Sequence, residues 1–249
     1  MSHPVPLSHV QAAFERGHHA EVLRLTDAIL AERPGDDATH EVRARALLAQ
    51  QRFDEAEAHA SNAVRLDPDE VRYRELLAEV LAARGAHRDA AAEYGRLARN
   101  DPTQPAWTVA EARERLGAAQ PDASVEAARH AVRLDPANAD AQLALARGLV
   151  RIGDAPGAIQ AAAAAAGLRP GDPAVRETLA DARWLAEEVS PAFAEFRALS
   201  QELTDGDRAR VTEKARALYR QRAGWAGRLV AGVPSVFGLA LRNGWVSVQ

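Results

Sequence analysis

The stretch Ala63-Val64-Arg65-Leu66-Asp67-Pro68 returns unchanged as Ala131-Val132-Arg133-Leu134-Asp135-Pro136. Around the two copies the chain keeps one beat, with Pro34, Pro68, Pro102, Pro136 and Pro170 each 34 residues apart. A period of this length marks an array of like supersecondary units, none of which can bury its apolar side alone. With each proline at position 32, the units run 3–36, 37–70, 71–104, 105–138 and 139–172. A sixth, 173–202, follows with Leu179, Ala180, Ala192, Phe196 and Leu199 in register.

Within a unit the residue types also repeat. Position 8 reads Val10, Ala44, Ala78, Ala112 and Ala146, and position 20 reads Val22, Ala56, Ala90, Ser124 and Ala158. Small residues there let two helices approach closely. Position 11 (Ala13, Leu47, Leu81, Arg115, Leu149) and position 27 (Ile29, Ala63, Leu97, Ala131, Ala165) keep apolar residues at the three-and-four spacing of a helix face. Gly17, Gly85 and Gly153, at position 15, end the first helix of their units. Tyr94 and Phe196 place a bulky ring at position 24.

This pattern resembles the tetratricopeptide repeat (TPR) family, with two antiparallel helices, A and B, per 34 residues. The resemblance implies an all-α fold, an alpha-alpha superhelix (TPR solenoid) of about six helix-turn-helix repeats closed by a C-terminal capping helix. Two units depart from it. The first carries Val10 and Val22 where small residues are usual, as a terminal cap does. The fourth has Arg115 at position 11 and Pro121 in its turn, so its first helix is expected to be shortened or shifted. Ala161 to Ala166 falls in the middle of a B helix, and alanine's helix propensity makes ordered helix the expectation there.

After the array, Thr204-Asp205-Gly206-Asp207 breaks the chain and offers an N-cap. Val211, Ala215, Leu218, Trp225 and Leu229 then share one face of a helix over 205–229. Such a helix covers the open apolar edge of the last repeat, which a stacked array needs for solubility. Residues 230–249 form an apolar tail in which Pro234 blocks further helix and Asn243-Gly244 suggests a short hairpin.

Bulk composition narrows the function. Apolar residues make up 47%, but much of this is alanine and only 5% is aromatic, so the core is thin. There is no cysteine, which rules out disulfides, thiolate catalysis and cysteine-bound metal. The first residues do not read as a secretory signal, and the longest uncharged runs are shorter than the roughly 20 residues that cross a bilayer. A cytoplasmic location is expected. Residues 1–204 carry a net charge of −9 and the remainder +5. An acidic array of this kind is poorly suited to nucleic acid.

Catalytic motifs are absent from the sequence: there is no G-x-S-x-G, phosphate-cradling loop or dinucleotide fingerprint. His40-Glu41 begins like a zinc-protease helix, but Ala44 stands where the second histidine belongs. His18 and His19 are adjacent and point apart on a helix, and His19 and His87 share the slot that Phe53 fills, at the A–B turn, as packing residues. No metal, cofactor or catalytic residue is implied.

The resemblance instead implies a concave groove lined by helix A positions 2, 5, 6, 9, 12 and 13. On this sequence the candidates are Gln11, Phe14, Arg45, Leu48, Arg72, Glu79, Arg113, Leu116, Arg147, Val150, Arg151 and Trp184. An apolar floor with spaced guanidinium groups suits an extended or helical peptide whose carboxylates arginine grips. The subgroup that holds chaperone C-termini uses Asn and Lys in helix A; here Asn62, Asn100 and Asn138 lie outside it and Lys214, the only lysine, lies in the last segment. The function expected is a non-enzymatic scaffold binding a protein or peptide partner.

The alternative makes the tail the active part. Phe237, Leu239, Leu241 and Trp245, behind an Arg-rich helix, would dock in the groove of a second copy to form a homo-oligomer, or on an anionic membrane surface. Truncation after Gly224 separates these readings. A fall from dimer to monomer marks self-association, loss of flotation with anionic liposomes at unchanged mass marks the membrane version, and aggregation marks a cap.

Overall fold

The computed structural model describes residues 6–229, of which 205 and 221–229 are described as backbone only. Thirteen helices follow one another with no strand among the described residues. They are α1 (Leu7–Glu15), α2 (His19–Glu32), α3 (Asp37–Ala49), α4 (Phe53–Leu66), α5 (Val71–Ala83), α6 (His87–Asn100), α7 (Pro105–Gly117), α8 (Pro121–Leu134), α9 (Ala139–Ile152), α10 (Ala155–Leu168), α11 (Pro173–Leu185), α12 (Val189–Glu202) and α13 (Asp205–Leu229). The fold is all-α, about six helical hairpins followed by one longer helix. The helices group into two compact units, the first ending at Asp154 and the second beginning at Ala155.

The repeated hexapeptide has one structural role in both copies. Ala63 and Ala131 are fully buried on the inner faces of α4 and α8. The aspartate then leaves the helix in an extended conformation, with ψ 91° at Asp67 and 95° at Asp135. The following proline enforces this by disfavouring helical geometry in the residue before it. Arg33 and Asp101, before Pro34 and Pro102, take the same shape at the ends of α2 and α6. The next helix restarts three residues beyond the proline, and Asp36 and Asn138, two beyond it, cap α3 and α9 through bonds from the backbone N–H of Thr39 and Ala141.

Each hairpin turns through one left-handed residue at position 15. Gly17, Gly85 and Gly153 have φ between 74° and 86°, and Gln51, Ala119 and Glu187 occupy the same slot with φ between 57° and 61°. In all six turns the N–H that follows bonds back five residues, as from Ala86 to the carbonyl of Leu81 and from Gln120 to that of Arg115. The turn is therefore set by the backbone closure, and glycine is only its least strained occupant.

In the first unit the A–B crossings pack on fully buried small residues, Ala44, Ala56, Ala78, Ala90 and Ala112. Ser124, at the α7–α8 crossing, satisfies its hydroxyl by donating to the carbonyl of Ala112 at 2.7 Å. The valines of the first hairpin are also buried, in a cluster with Leu25, Ile29 and Val42. The expectation of a shortened first helix in the fourth repeat is not met. Helix α7 has 13 residues, as many as α3 and α5. Pro121 is the first residue of α8, where its missing N–H costs nothing, and Arg115 turns outward to bond Glu111 at 2.6–2.8 Å.

In the second unit α11 packs between α10 and α12, and α13 lies on α12. The alanine run of α10 is ordered helix, with Ala158, Ala161, Ala162 and Ala165 buried. Val211 and Leu218 of α13 complete an apolar cluster with Ala180, Ala192, Phe196 and Leu199, against which Ala215 packs. Lys214 fixes α13 to α11 through Glu177 at 2.8 Å and Asp181 at 2.6 Å, with Arg210 on Glu177 at 2.7 Å. Burial works against the Glu177 carboxylate, but the hydrogen bonds from Arg210 and Lys214 outweigh it and hold its pKa below the usual range.

A Cβ built on Gly85 meets no atom within 4 Å, so Gly85→Ala isolates the backbone strain of the turn. It should lower stability by about 1 kcal/mol, read from urea unfolding midpoints. Ala119→Gly should not lower it.

Candidate functional site

The A helices of the first unit carry eleven of the twelve groove candidates. Arg45, Arg113, Arg147 and Arg151 are exposed. Leu48, Leu116 and Val150 are half-buried beside them, and Leu48 packs on the cluster of Ala44, Leu47 and Leu76. Gln11 is exposed on α1. Phe14 is less open than a groove floor requires, packed against the first cluster with its ring 5.6 Å from that of His19. Trp184 belongs to the second unit, edge-on to Phe196 at 6.3 Å in the cluster that α13 closes. The tail candidates Phe237, Leu239, Leu241 and Trp245, and the hairpin suggested near them, lie outside the described residues.

Three of the arginines of this face, Arg45, Arg113 and Arg72, are committed to carboxylates of their own chain. Arg45 pairs with Glu41 at 2.7 Å, Arg113 with Glu114 at 3.0 Å and Arg72 with Glu70 at 3.1 Å. Glu41 and Glu114 keep only 9% and 5% of their side chains exposed. Breaking a pair that leaves such a carboxylate unpartnered costs about 3–5 kcal/mol at full burial. A carboxylate arriving from outside competes with these internal ones for guanidinium groups already held. The sequence could not reveal this, because it gives the spacing of Arg45 and Glu41 but not the burial of the glutamate.

The acids at the centre of the face behave differently. Glu75 and Glu79 stand one turn apart on α5. The indole N–H of Trp107 on α7 donates to Glu75 Oε1 at 3.2 Å. Water reaches Glu79, yet protein atoms crowd it; that burial, and then the charge of Glu75, raise its pKa, with Arg45 opposing. Below them lies Tyr94 of α6, only 6% exposed. Burial, and then the charge of Glu79, push its phenol up to about 12. Sequence reading placed Tyr94 as a packing ring and passed over Glu75 and Trp107. The signal available was Glu75 four residues before Glu79, on the same helical face.

A second polar centre joins α2, α3 and α4. His40 Nε2 lies 3.0 Å from the carbonyl of Pro34, which can only accept, so the proton sits there and Nδ1 is an acceptor. His59 Nδ1–H therefore donates to His40 Nδ1 at 2.8 Å, and His59 Nε2 accepts from Arg43 Nε at 3.0 Å. Arg43 also reaches the Leu23 carbonyl, the Thr26 hydroxyl and Asp27. Both rings are neutral in this chain of bonds. Burial, and then Arg43 and His40, lower the His59 pKa to about 4. His87, expected as turn packing, also holds Glu114 at 2.8 Å.

The family model for the tetratricopeptide repeat matches residues 41–105 and 109–173, together 130 of 249 residues, and the chain belongs to that family. Its fold is that of protein-interaction scaffolds. Among solved structures, a tetratricopeptide repeat protein from Parabacteroides merdae is 12% identical with a TM-score of 0.72, over 94% of this chain and 95% of that one. YrrB, described as a TPR protein with an unusual peptide-binding site, is 16% identical with a TM-score of 0.56, over 76% of this chain and 97% of its own. Yeast Tom70 is 17% identical with a TM-score of 0.58, over 82% of this chain, and the chain spans only 44% of Tom70. At these identities the likeness is one of fold. No curated protein matches the sequence. No helix among the described residues is long and apolar enough to cross a membrane.

Protonation of His59 at Nε2 requires the bond from Arg43 to break. Its folded pKa lies below the ordinary 6.5, so the unfolded chain binds the proton more readily. The stability it contributes is complete above about pH 6.5 and should be lost as pH falls towards about 4. Thermal melts across that window should show the fall, and it should be shallower in His59→Gln, which keeps a donor and an acceptor but does not titrate.

Proposed function

We propose that the chain is a scaffold that docks a peptide segment of a protein partner on the A-helix face of its first unit. The observation that carries the reading is the continuity of that face from one hairpin to the next. Position 9 supplies Arg45, Glu79 and Arg113 on α3, α5 and α7. The Glu79 carboxylate feels Arg45, and the Tyr94 hydroxyl feels both Glu79 and Arg113. With Leu48 and Leu116 half-buried alongside, this gives an extended segment alternating polar and apolar footholds. The peptide-binding site named for YrrB, a protein of the same fold, supports the reading by analogy.

In this reading residues 3–202 supply six repeats, 205–229 close them, and 230–249 are left for assembly. The residues offered for docking are those of the first unit, with Trp184 serving the packing of α13.

Ala83 is exposed near the end of α5, and Ala92 is exposed on the B helix α6. Peptides selected from a random phage-displayed library on the full chain should bind Ala83→Trp at least about tenfold more weakly while binding Ala92→Trp unchanged. Undiminished binding to Ala83→Trp rejects the docking face.

A further inference from the structure

The charges of the docking face are not equivalent, and their inequality specifies the partner. Arg45 and Arg113 flank the centre, but each is already neutralised by a largely buried carboxylate. Glu79 makes no ion pair or hydrogen bond among the described residues, and Glu75 is bonded only through one oxygen, to a neutral indole. The centre therefore keeps two negative charges on one helical turn with no cation within bonding distance.

Tyr94 adds an independent observation. The residue is only 6% exposed, yet its hydroxyl has no hydrogen-bond partner among the described residues and still meets solvent. The charge that acts on it most strongly is that of Glu79, ahead of Arg113, Glu114 and Glu75. A buried phenol whose free oxygen opens beside two carboxylates is a polar group waiting for a donor. Only solvent meets that oxygen within the fold, so a donor brought by a partner takes the place of water there.

The wall beside the carboxylates is aromatic. Trp107 packs on the cluster of Ala78, Tyr94 and Leu97 with its N–H end on Glu75. An indole next to a carboxylate is suited to a cation on an apolar stem: the stem packs on the ring and the charge reaches the acid. A bare metal ion fits poorly, since no group of three or more His, Asp or Glu side chains with metal-ligand placement occurs among the described residues.

We propose that Glu75, Glu79, Tyr94 and Trp107 form a cation subsite that takes a lysine or arginine side chain of the docked peptide. The stem lies along Trp107, the charged head sits between the two carboxylates, and one of its N–H groups donates to the Tyr94 oxygen. The partner's docking segment is thus anchored by a basic residue. This inference rests on the docking face proposed above, and it reverses the polarity that counting arginines suggests.

The test uses the full chain and the same peptide library. Peptides selected on the native protein should share a Lys or Arg at one fixed position, and replacing that residue by norleucine should weaken binding about tenfold or more. The double variant Glu75→Gln/Glu79→Gln, which keeps an acceptor for Trp107, should weaken the same peptides to the same degree without lowering the melting temperature. It should also remove the sensitivity to norleucine. Peptides that are blocked by Ala83→Trp but share no basic position, or that bind the double variant as well as the native chain, overturn the cation subsite alone. Peptides that ignore Ala83→Trp, or a failure to select any, overturn the docking face and the subsite together.

Discussion

Two helices can lie only as close as the residues at their crossing allow, and the hairpins of this protein depend on that limit. Where Ala44 meets α4 and Ala78 meets α6, no side chain holds the backbones apart. Close approach is what lets a chain with 5% aromatic residues build a core at all. Each crossing removes little apolar area from water, at about 25 cal/mol per Å², so the fold relies on many crossings and on hydrogen bonds that leave few buried groups unpaired. The Ser124 hydroxyl on the Ala112 carbonyl is one such bond, and the line from Arg43 through His59 and His40 to the Pro34 carbonyl is another.

This dependence carries over to the surface. Glu41 and Glu114 are drawn into the helix packing and must be neutralised there, so Arg45 and Arg113 serve the fold before they serve a partner. Glu75 and Glu79 have no such partner. The electrostatic character of the face is set by what remains after the core has taken its share, which differs from the sum of its charged residues. Lys214 is a further case: it is spent in the second unit on Glu177 and Asp181, where it ties the last helix to α11.

The fold was legible because its determinants are local and repeated. The proline at position 32 forces the preceding residue out of helix wherever it occurs, and the small residues at 8 and 20 declare a crossing without reference to other units. Pro121 misled because a proline in a turn and a proline opening the next helix look alike in sequence, while only the second costs nothing. Gln51, Ala119 and Glu187 hid three left-handed turns, since only glycine advertises that geometry. The character of the face was not legible. Whether an arginine is free depends on the burial of its carboxylate neighbour, and the neighbours of Tyr94 come from α5 and α7, brought together only by packing.

The occupants of the left-handed turn alternate along the chain, glycine at 17, 85 and 153 and other residues at 51, 119 and 187. The identical hexapeptides are also 68 residues apart. The hairpin is the smallest piece that recurs in three dimensions, yet the sequence remembers a piece twice that size. A pair of hairpins is the unit along which these features repeat, and an array lengthened or shortened by one such pair keeps the alternation intact.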